Sequence, residues 1–312
     1  MMKSIFALAV LALACTAAAG LARADQSATI ALRYDAHLKK IGFPSPTLTV
    51  TVAGKEARFL IDSGAGVHTF ASWYVKAAAL SPKSDRNMKA VDSSGHQIEI
   101  TVLRDLRVSP LGGHELEIGE AVVVDFPPLF EENRIAGLLS PQLLASKTQA
   151  AVLDLNIPEL RLEPMQSAVD RMNATVLSLG GATSLCTQAG SPLVNRLYMI
   201  RTMIDGVEAS LTIDTGATST TIRENTPAAR ALRSKPGTGR DEMGIGGRRV
   251  RVFQSAPVEL DFGGGARRIA VGVGANAGGC GSDGLLGMDA LQGCRWIFAR
   301  TGIAMSCVKR RS

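Results

Sequence analysis

The chain has few aromatic residues, 4% of its 312 positions, and several chemistries are absent from it. No Cys-x-x-C pair and no His-Glu-x-x-His occur, and the four histidines, His37, His68, His96 and His114, are dispersed. Zinc chemistry therefore has no ligand set, and no metal is expected. Beyond the N-terminal segment no run reaches the roughly 18 apolar residues that a membrane-spanning helix needs. The basic residues form no dense patch interleaved with aromatics, apart from Lys309-Arg310-Arg311 at the tail, so no nucleic-acid reader is expected. Gly272-Val273-Gly274-Ala275-Asn276-Ala277 fits a dinucleotide fingerprint on paper. Gly278-Gly279-Cys280 follows where a helix would have to start, so the segment reads as a loop and no cofactor is expected.

The chain is rich in glycine, with 32 residues, and 46% hydrophobic. Many glycines with few aromatics suit a β-rich fold with tight turns. The first 24 residues read as a signal peptide. Lys3 supplies the positive start, Ile5 to Ala14 the apolar stretch, and Ala22-Arg23-Ala24 the small residues before cleavage. A lipoprotein attached through Cys15 is the rival, on the weak lipobox Ala12-Leu13-Ala14. Removing Lys3 and Arg23 takes the net charge from +6 to +4. Export leaves Cys186, Cys280, Cys294 and Cys307, which an oxidising compartment pairs into two disulfides. Three connectivities are possible. The preferred one joins Cys280 to Cys294 and Cys186 to Cys307.

The remaining sequence repeats itself. Phe59-Leu60-Ile61-Asp62-Ser63-Gly64-Ala65 matches Leu211-Thr212-Ile213-Asp214-Thr215-Gly216-Ala217. Ile135-Ala136-Gly137-Leu138-Leu139 matches Ser282-Asp283-Gly284-Leu285-Leu286, and Gly137 and Gly284 follow their Asp by 75 and 70 positions. Between these landmarks, Ser93-Ser94-Gly95-His96 and Gly244-Ile245-Gly246-Gly247 each precede an alternating run, which reads as a β-hairpin. The chain is two copies of one β-unit, placed at 29–165 and 183–308, with 166–182 as the connection. Strands are expected at 48–52, 57–61, 121–124, 151–155, 198–204, 207–213, 258–260 and 269–273. Helices are expected at 73–80, 138–144, 165–172, 227–232 and 288–291.

Each Asp-Ser/Thr-Gly follows an apolar strand, an odd place for a carboxylate unless the chain turns there. Gly64 and Gly216 permit a tight turn and close approach of another backbone. If the two turns meet at a pseudo-twofold axis, the carboxylates face each other. Two like charges that close cannot both ionise, so one proton is shared. One carboxylate can then activate a water while its partner protonates a carbonyl oxygen. Asp-Ser-Gly also echoes a serine nucleophile turn, but Ile61 precedes Asp62, the second copy carries Thr215, and no histidine is marked as its base.

These residues resemble the aspartic peptidases. Ala65 and Ala217 and the short Gly-Ile-Gly-Gly hairpin look retropepsin-like, while the duplication within one chain looks pepsin-like. The resemblance implies an all-β fold: two tandem β-barrel lobes of acid-protease type with a cleft between them. It implies an aspartic endopeptidase with Asp62 and Asp214 as the catalytic pair. Ser63, Gly64, Thr215, Gly216 and Thr218 would support the turns, and Gly137 and Gly284 would pack each Asp loop from behind. Gly95, His96, Gly246 and Gly247 would form flaps over a peptide or protein substrate bound as an extended strand. Gly66 departs from the family pattern, because a polar residue often stands there, as Thr218 does in the second copy. That departure motivates the alternative of a catalytically impaired peptide-binding protein. His68 and His96 lie near turn and flap, with an ordinary surface role as the bland reading. Asn173-Ala174-Thr175 is a formal glycosylation sequon. Neither Ala65 nor Ala217 offers a side-chain donor to its carboxylate, so the pair should titrate higher than pepsin's, with activity from mildly acidic to neutral pH. A periplasmic or secreted monomer is the expected form, since the duplication completes the pair within one chain.

Overall fold

A computed structural model describes residues 28–82, 88–91, 97–110, 115–178, 183–186, 195–233, 237–243, 249–263, 265–275 and 281–308. The signal segment, Cys15, Gly95, His96, Gly246, Gly247 and Cys280 lie outside the described residues. The fold is all-β and two-lobed. In the first half, strands Thr47–Val52, Lys55–Ile61, Ile135–Leu139, His68–Ala71, Leu116–Val124 and Gln97–Pro110 follow one another around a sheet. Thr47–Val52 also pairs with Gln97–Pro110, which closes these six strands into a barrel. Met88–Val91 extends the sheet as the second arm of the first hairpin.

The second half repeats this order. Leu197–Ile204 pairs with Val207–Ile213, which runs parallel to Gly284–Leu286, which pairs with Thr221–Arg223. Gly272–Gly274, Arg249–Ser255 and Gly237–Met243 continue the sheet. The counterpart of the long strand Gln97–Pro110 is split. After Arg249–Ser255 the chain passes Pro257, which has no N–H to give a ladder, and resumes as Val258–Asp261. That piece pairs with Leu197–Ile204, the same closing contact as in the first barrel.

A third sheet joins the halves. It has six strands in the order Ala28–Ala31, Glu159–Glu163, Ala150–Asp154, Cys294–Ala299, Gly302–Cys307 and Thr175–Ser178. Three come from each half, and the seam is the pairing of Ala150–Asp154 with Cys294–Ala299. Thr175–Ser178 holds in the second half the place that Ala28–Ala31 holds in the first. The stretch 166–182, read as a plain connection, therefore contributes a strand, and the helix Met165–Met172 precedes it. The helix ends at Asn173, whose left-handed backbone (φ 46°) caps it.

Apolar alternation built these elements. Phe59, Ile61, Leu211, Ile213, Trp296 and Ile297 are fully buried. Each side chain of this kind contributes about 1.5–3 kcal/mol through burial. Three sequence expectations need correcting. Residues 138–144 are the end of a strand and a short 3-10 turn, Pro141–Leu143, because Leu138 and Leu139 continue the parallel ladder with Leu60 and Ile61. Residues 269–273 are two strands: Ala266–Ile269 pairs with Val258–Asp261, whereas Gly272–Gly274 turns to Thr221–Arg223. The preferred disulfide pairing is also overturned, because Cys294 is bonded to Cys307. The two residues stand directly opposite each other in the ladder of a hairpin, with Cα atoms 4.0 Å apart. Cys186 and Cys280 remain as the other possible pair; Cys280 and the Cys186 side chain are outside the described residues. No helix among the described residues is long and apolar enough to cross a membrane.

Candidate active site

Asp62 stands one residue past Lys55–Ile61, and Asp214 one past Val207–Ile213. Their backbone N–H groups extend the parallel ladders by donating to Leu139 O (2.9 Å) and Leu286 O (3.0 Å). The turns that follow interlock. Ser63 N donates to Thr215 Oγ1 at 3.0 Å, and Thr215 N to Ser63 Oγ at 3.1 Å. Each hydroxyl then reaches across: Ser63 Oγ donates to Ile213 O (2.8 Å) and Thr215 Oγ1 to Ile61 O (2.8 Å). Four bonds related by a pseudo-twofold axis thus tie one half's turn to the other's. The Ser63 hydroxyl is spent in this brace and among the described residues bonds to no histidine, which weighs against the serine-nucleophile reading.

The brace brings the carboxylates together. Asp62 and Asp214 are 7% and 8% exposed. Asp62 Oδ1 accepts from Gly64 N (2.8 Å) and Ala65 N (3.2 Å), and Asp214 Oδ1 from Gly216 N (2.8 Å) and Ala217 N (3.0 Å). Each glycine lies against the opposite carboxylate. A Cβ at Gly64 would stand 2.2 Å from Asp214 Cγ, and one at Gly216 2.6 Å from Asp62 Oδ2. The two side chains are within hydrogen-bonding reach of each other. Burial raises both pKa values, and the Asp62 charge adds to the rise at Asp214, which lies well above the usual carboxylate range. Such an arrangement can hold one proton between two acids at pH values where free carboxylates have lost theirs.

Other residues fall into place with some surprises. Gly137 and Gly284 sit in the parallel partner strands, where a Cβ would stand 2.0 Å from Thr69 O and Thr221 O. Their role is to let the strand after each turn cross closely, two residues before the carbonyls of Leu139 and Leu286 that accept from the Asp backbones. Thr218 Oγ1 donates to Gly42 O (3.1 Å), a bond to the other half of the chain. The matching Gly66 has its own contact: Arg196 N donates to Gly66 O at 3.0 Å, and a Cβ there would meet Asn195 Oδ1 at 2.1 Å. Glycine is therefore what the close approach of Asn195 requires.

Sequence reasoning missed a second pair of braces. Gln142, fully buried, donates through Nε2 to Ser63 O (3.0 Å), Ala65 O (2.9 Å) and Arg196 O (3.0 Å). At the matching place Asp289 accepts from Thr220 N (2.9 Å) and Thr220 Oγ1 (2.8 Å). Both follow their Gly-Leu-Leu glycine by five positions, a signal the repeat contained. His68 matches Thr220. It is buried at 1% exposure, not on the surface, and its Nδ1 accepts from Ser140 N (3.1 Å) as Thr220 Oγ1 accepts from Gly287 N (3.2 Å). Burial pushes its pKa down to about 3. Among the described residues no cluster of His, Cys, Asp or Glu could hold a metal.

Fold and paired turns together define the aspartic-peptidase class. A family model described as "Aspartyl protease" matches residues 48–142, and one described as "gag-polyprotein putative aspartyl protease" matches residues 200–293. The chain belongs to the aspartic peptidases, of retropepsin-like kind, with one family domain in each half. Among solved structures, that of basic 7S globulin from soybean is similar over 90% of this chain and 95% of its own, at 12% identity and a TM-score of 0.49. No curated protein sequence matches the chain. The two family domains support aspartic protease activity.

Proposed function

We propose that this chain is an aspartic endopeptidase in which Asp62 and Asp214 act as one catalytic unit, with lobes at 29–165 and 183–308. The strand Thr175–Ser178 lies in the connection 166–182 and pairs with Gly302–Cys307 of the second lobe. The observation that carries the proposal is the buried, mutually braced pair of carboxylates, each covered by the other turn's glycine. A water held between them loses a proton to the ionised carboxylate as it attacks the peptide carbonyl. The protonated partner, Asp214 on the direction of its pKa, gives its proton to the carbonyl oxygen. Collapse of the tetrahedral intermediate breaks the C–N bond, and the amine leaves with a proton returned from the pair. Sharing one proton between two such acids is established behaviour of aspartic peptidases as a class.

The backbone donors Gly64, Ala65, Gly216 and Ala217 hold the outer oxygens fixed, so the reacting oxygens need little reorganisation. The hairpins built from Met88–Val91 with Gln97–Pro110, and from Gly237–Met243 with Arg249–Ser255, are the candidate flaps, and Gly95, His96, Gly246 and Gly247 fall in the sequence between their arms. An extended peptide between them would be held by main-chain bonds as an added strand. The contacts of Gly66 with Arg196 support a competent first turn, and this weighs against a binding-only protein. The disulfide Cys294–Cys307 is compatible with the oxidising, periplasmic or extracellular setting proposed for it. The test is digestion of a mixed peptide library from about pH 3 to 8. Internal cleavage that is strongest between mildly acidic and neutral pH is expected. Release of terminal residues alone, or intact peptides throughout, overturns the reading.

A further inference from the structure

A cavity of about 480 Å³ lies behind the Asp62 turn, bordered by Leu116–Val124, the residues after Pro141–Leu143, and Arg196 and Arg300. Neither Asp62 nor Asp214 lines it. Part of its wall is apolar, with Leu116, Ile118 and Leu144. Three donors border it with little to bond. Arg196 is half-buried and gives one N–H to Gln142 O at 3.1 Å. Arg300 gives one to Ala145 O at 3.3 Å. A guanidinium carries five N–H donors, and among the described residues most of theirs have no acceptor. Among the described residues neither arginine has a carboxylate at ion-pair distance. The third donor is His68. Because its Nδ1 accepts from Ser140, its proton is on Nε2, which is buried and has no partner.

The cavity also has acids on its rim, Glu115, Glu117 and Glu120. Glu115 is paired with Arg107 (3.0 Å) and Glu120 with Arg104 (3.4 Å), and Glu117 stands opposite Arg107 in the ladder. Two of the three rim acids are thus paired with arginines of their own, while Arg196 and Arg300, close enough for one charge to depress the other's pKa, make no ion pair among the described residues. Two neighbouring cations, one of them partly desolvated, favour an anion between them. A planar carboxylate fits a guanidinium fork in two parallel bonds.

We infer that this cavity is a second ligand site, separate from the cleft at the Asp turns, which takes a carboxylate attached to an apolar body. The carboxylate lies on Arg196 and Arg300, and the body lies on Leu116, Ile118 and Leu144. A peptide C-terminus with an apolar last residue and a free apolar acid share this chemistry.

Isothermal titration of the full chain with N-acetyl-leucine and with N-acetyl-leucinamide tests the site. N-acetyl-leucine is expected to bind wild type and Asp214→Asn alike, and to bind Arg300→Gln about tenfold more weakly, the size of a lost charge-assisted bond. The amide is expected to bind wild type at least about tenfold more weakly than the acid. Arg196→Gln should also weaken binding; each arginine gives up one bond to a backbone carbonyl on substitution, and Arg300, the more exposed of the two and the one with the longer bond, carries the test. Equal binding of acid and amide, an unchanged affinity in Arg300→Gln, no binding at all, or binding lost in Asp214→Asn would each overturn the inference, the last by placing the ligand in the cleft. Octanoate and N-acetyl-Ala-Ala-Leu then separate the sources: tighter tripeptide binding names a peptide end, tighter octanoate binding a free acid, and either order upholds the site.

Discussion

Acid should unfold this protein through His68. Its imidazole is 1% exposed, and burial alone depresses its pKa from 6.5 to about 3. A depressed folded-state pKa means that the unfolded chain binds the proton first. The stability His68 permits is whole above its unfolded pKa and is lost as pH falls below it, until the folded pKa is reached. Each pH unit in that window costs about 1.4 kcal/mol, so His68 alone removes about 2 kcal/mol by about pH 5 and more than 4 kcal/mol by about pH 3. That is a large share of the 5–15 kcal/mol typical of a folded domain. The perturbation is His68→Thr, which copies Thr220 and keeps an acceptor for Ser140 N. Asp62 and Asp214 run with the opposite sign, since their raised pKa values favour folding at low pH, but both are common to wild type and variant. The assay is urea denaturation at a series of pH values. The gap between variant and wild type should shift in the variant's favour by about 2 kcal/mol between about pH 7 and pH 5. Parallel stability curves would refute the buried-neutral His68.

Other perturbations have defined outcomes. Ser63→Ala and Thr215→Ala each strip two buried bonds from the interlock, one accepted and one donated by the lost hydroxyl, and should lower stability by about 1–3 kcal/mol, with peptidase activity falling further than stability, read by denaturation and kcat/KM. Gly64→Ala should abolish cleavage, because its Cβ collides with the Asp214 carboxylate; a folded, active variant would contradict the close packing of the pair. Cys294→Ser opens a 13-residue loop and should cost about 3 kcal/mol under oxidising conditions and nothing after reduction.

Much of this molecule was legible because duplication prints each feature twice. The Asp turns, the Gly-Leu-Leu strands and the hairpins each found their partner at nearly equal spacing. The strand before each Asp followed from the apolar run that ends there. The misses lie where tertiary contact overrides local pattern. Leu138 to Leu144 looked helical, yet Leu138 and Leu139 are held in a parallel ladder. Thr175–Ser178 sits in a Ser- and Gly-rich stretch with weak periodicity, and only its pairing with Gly302–Cys307 makes it a strand. The Cys294–Cys307 bond depends on a hairpin turn at residues 300–301 that carries no strong turn dipeptide. Gly66 read as a missing contact, because a sequence shows an absent side chain and not the Asn195 that needs the space. Gln142 and His68 were hidden for the opposite reason: their second-copy counterparts are Asp289 and Thr220, so residue identity changed while the bonding pattern was kept.

The most direct test of the central claim is cleavage of one identified peptide by wild type, Asp62→Asn and Asp214→Asn, with folding of all three checked by circular dichroism. The account predicts loss of at least about 10³-fold in kcat for either variant, since each removes half of one acid–base unit. Retention of near wild-type turnover in either folded variant would contradict it.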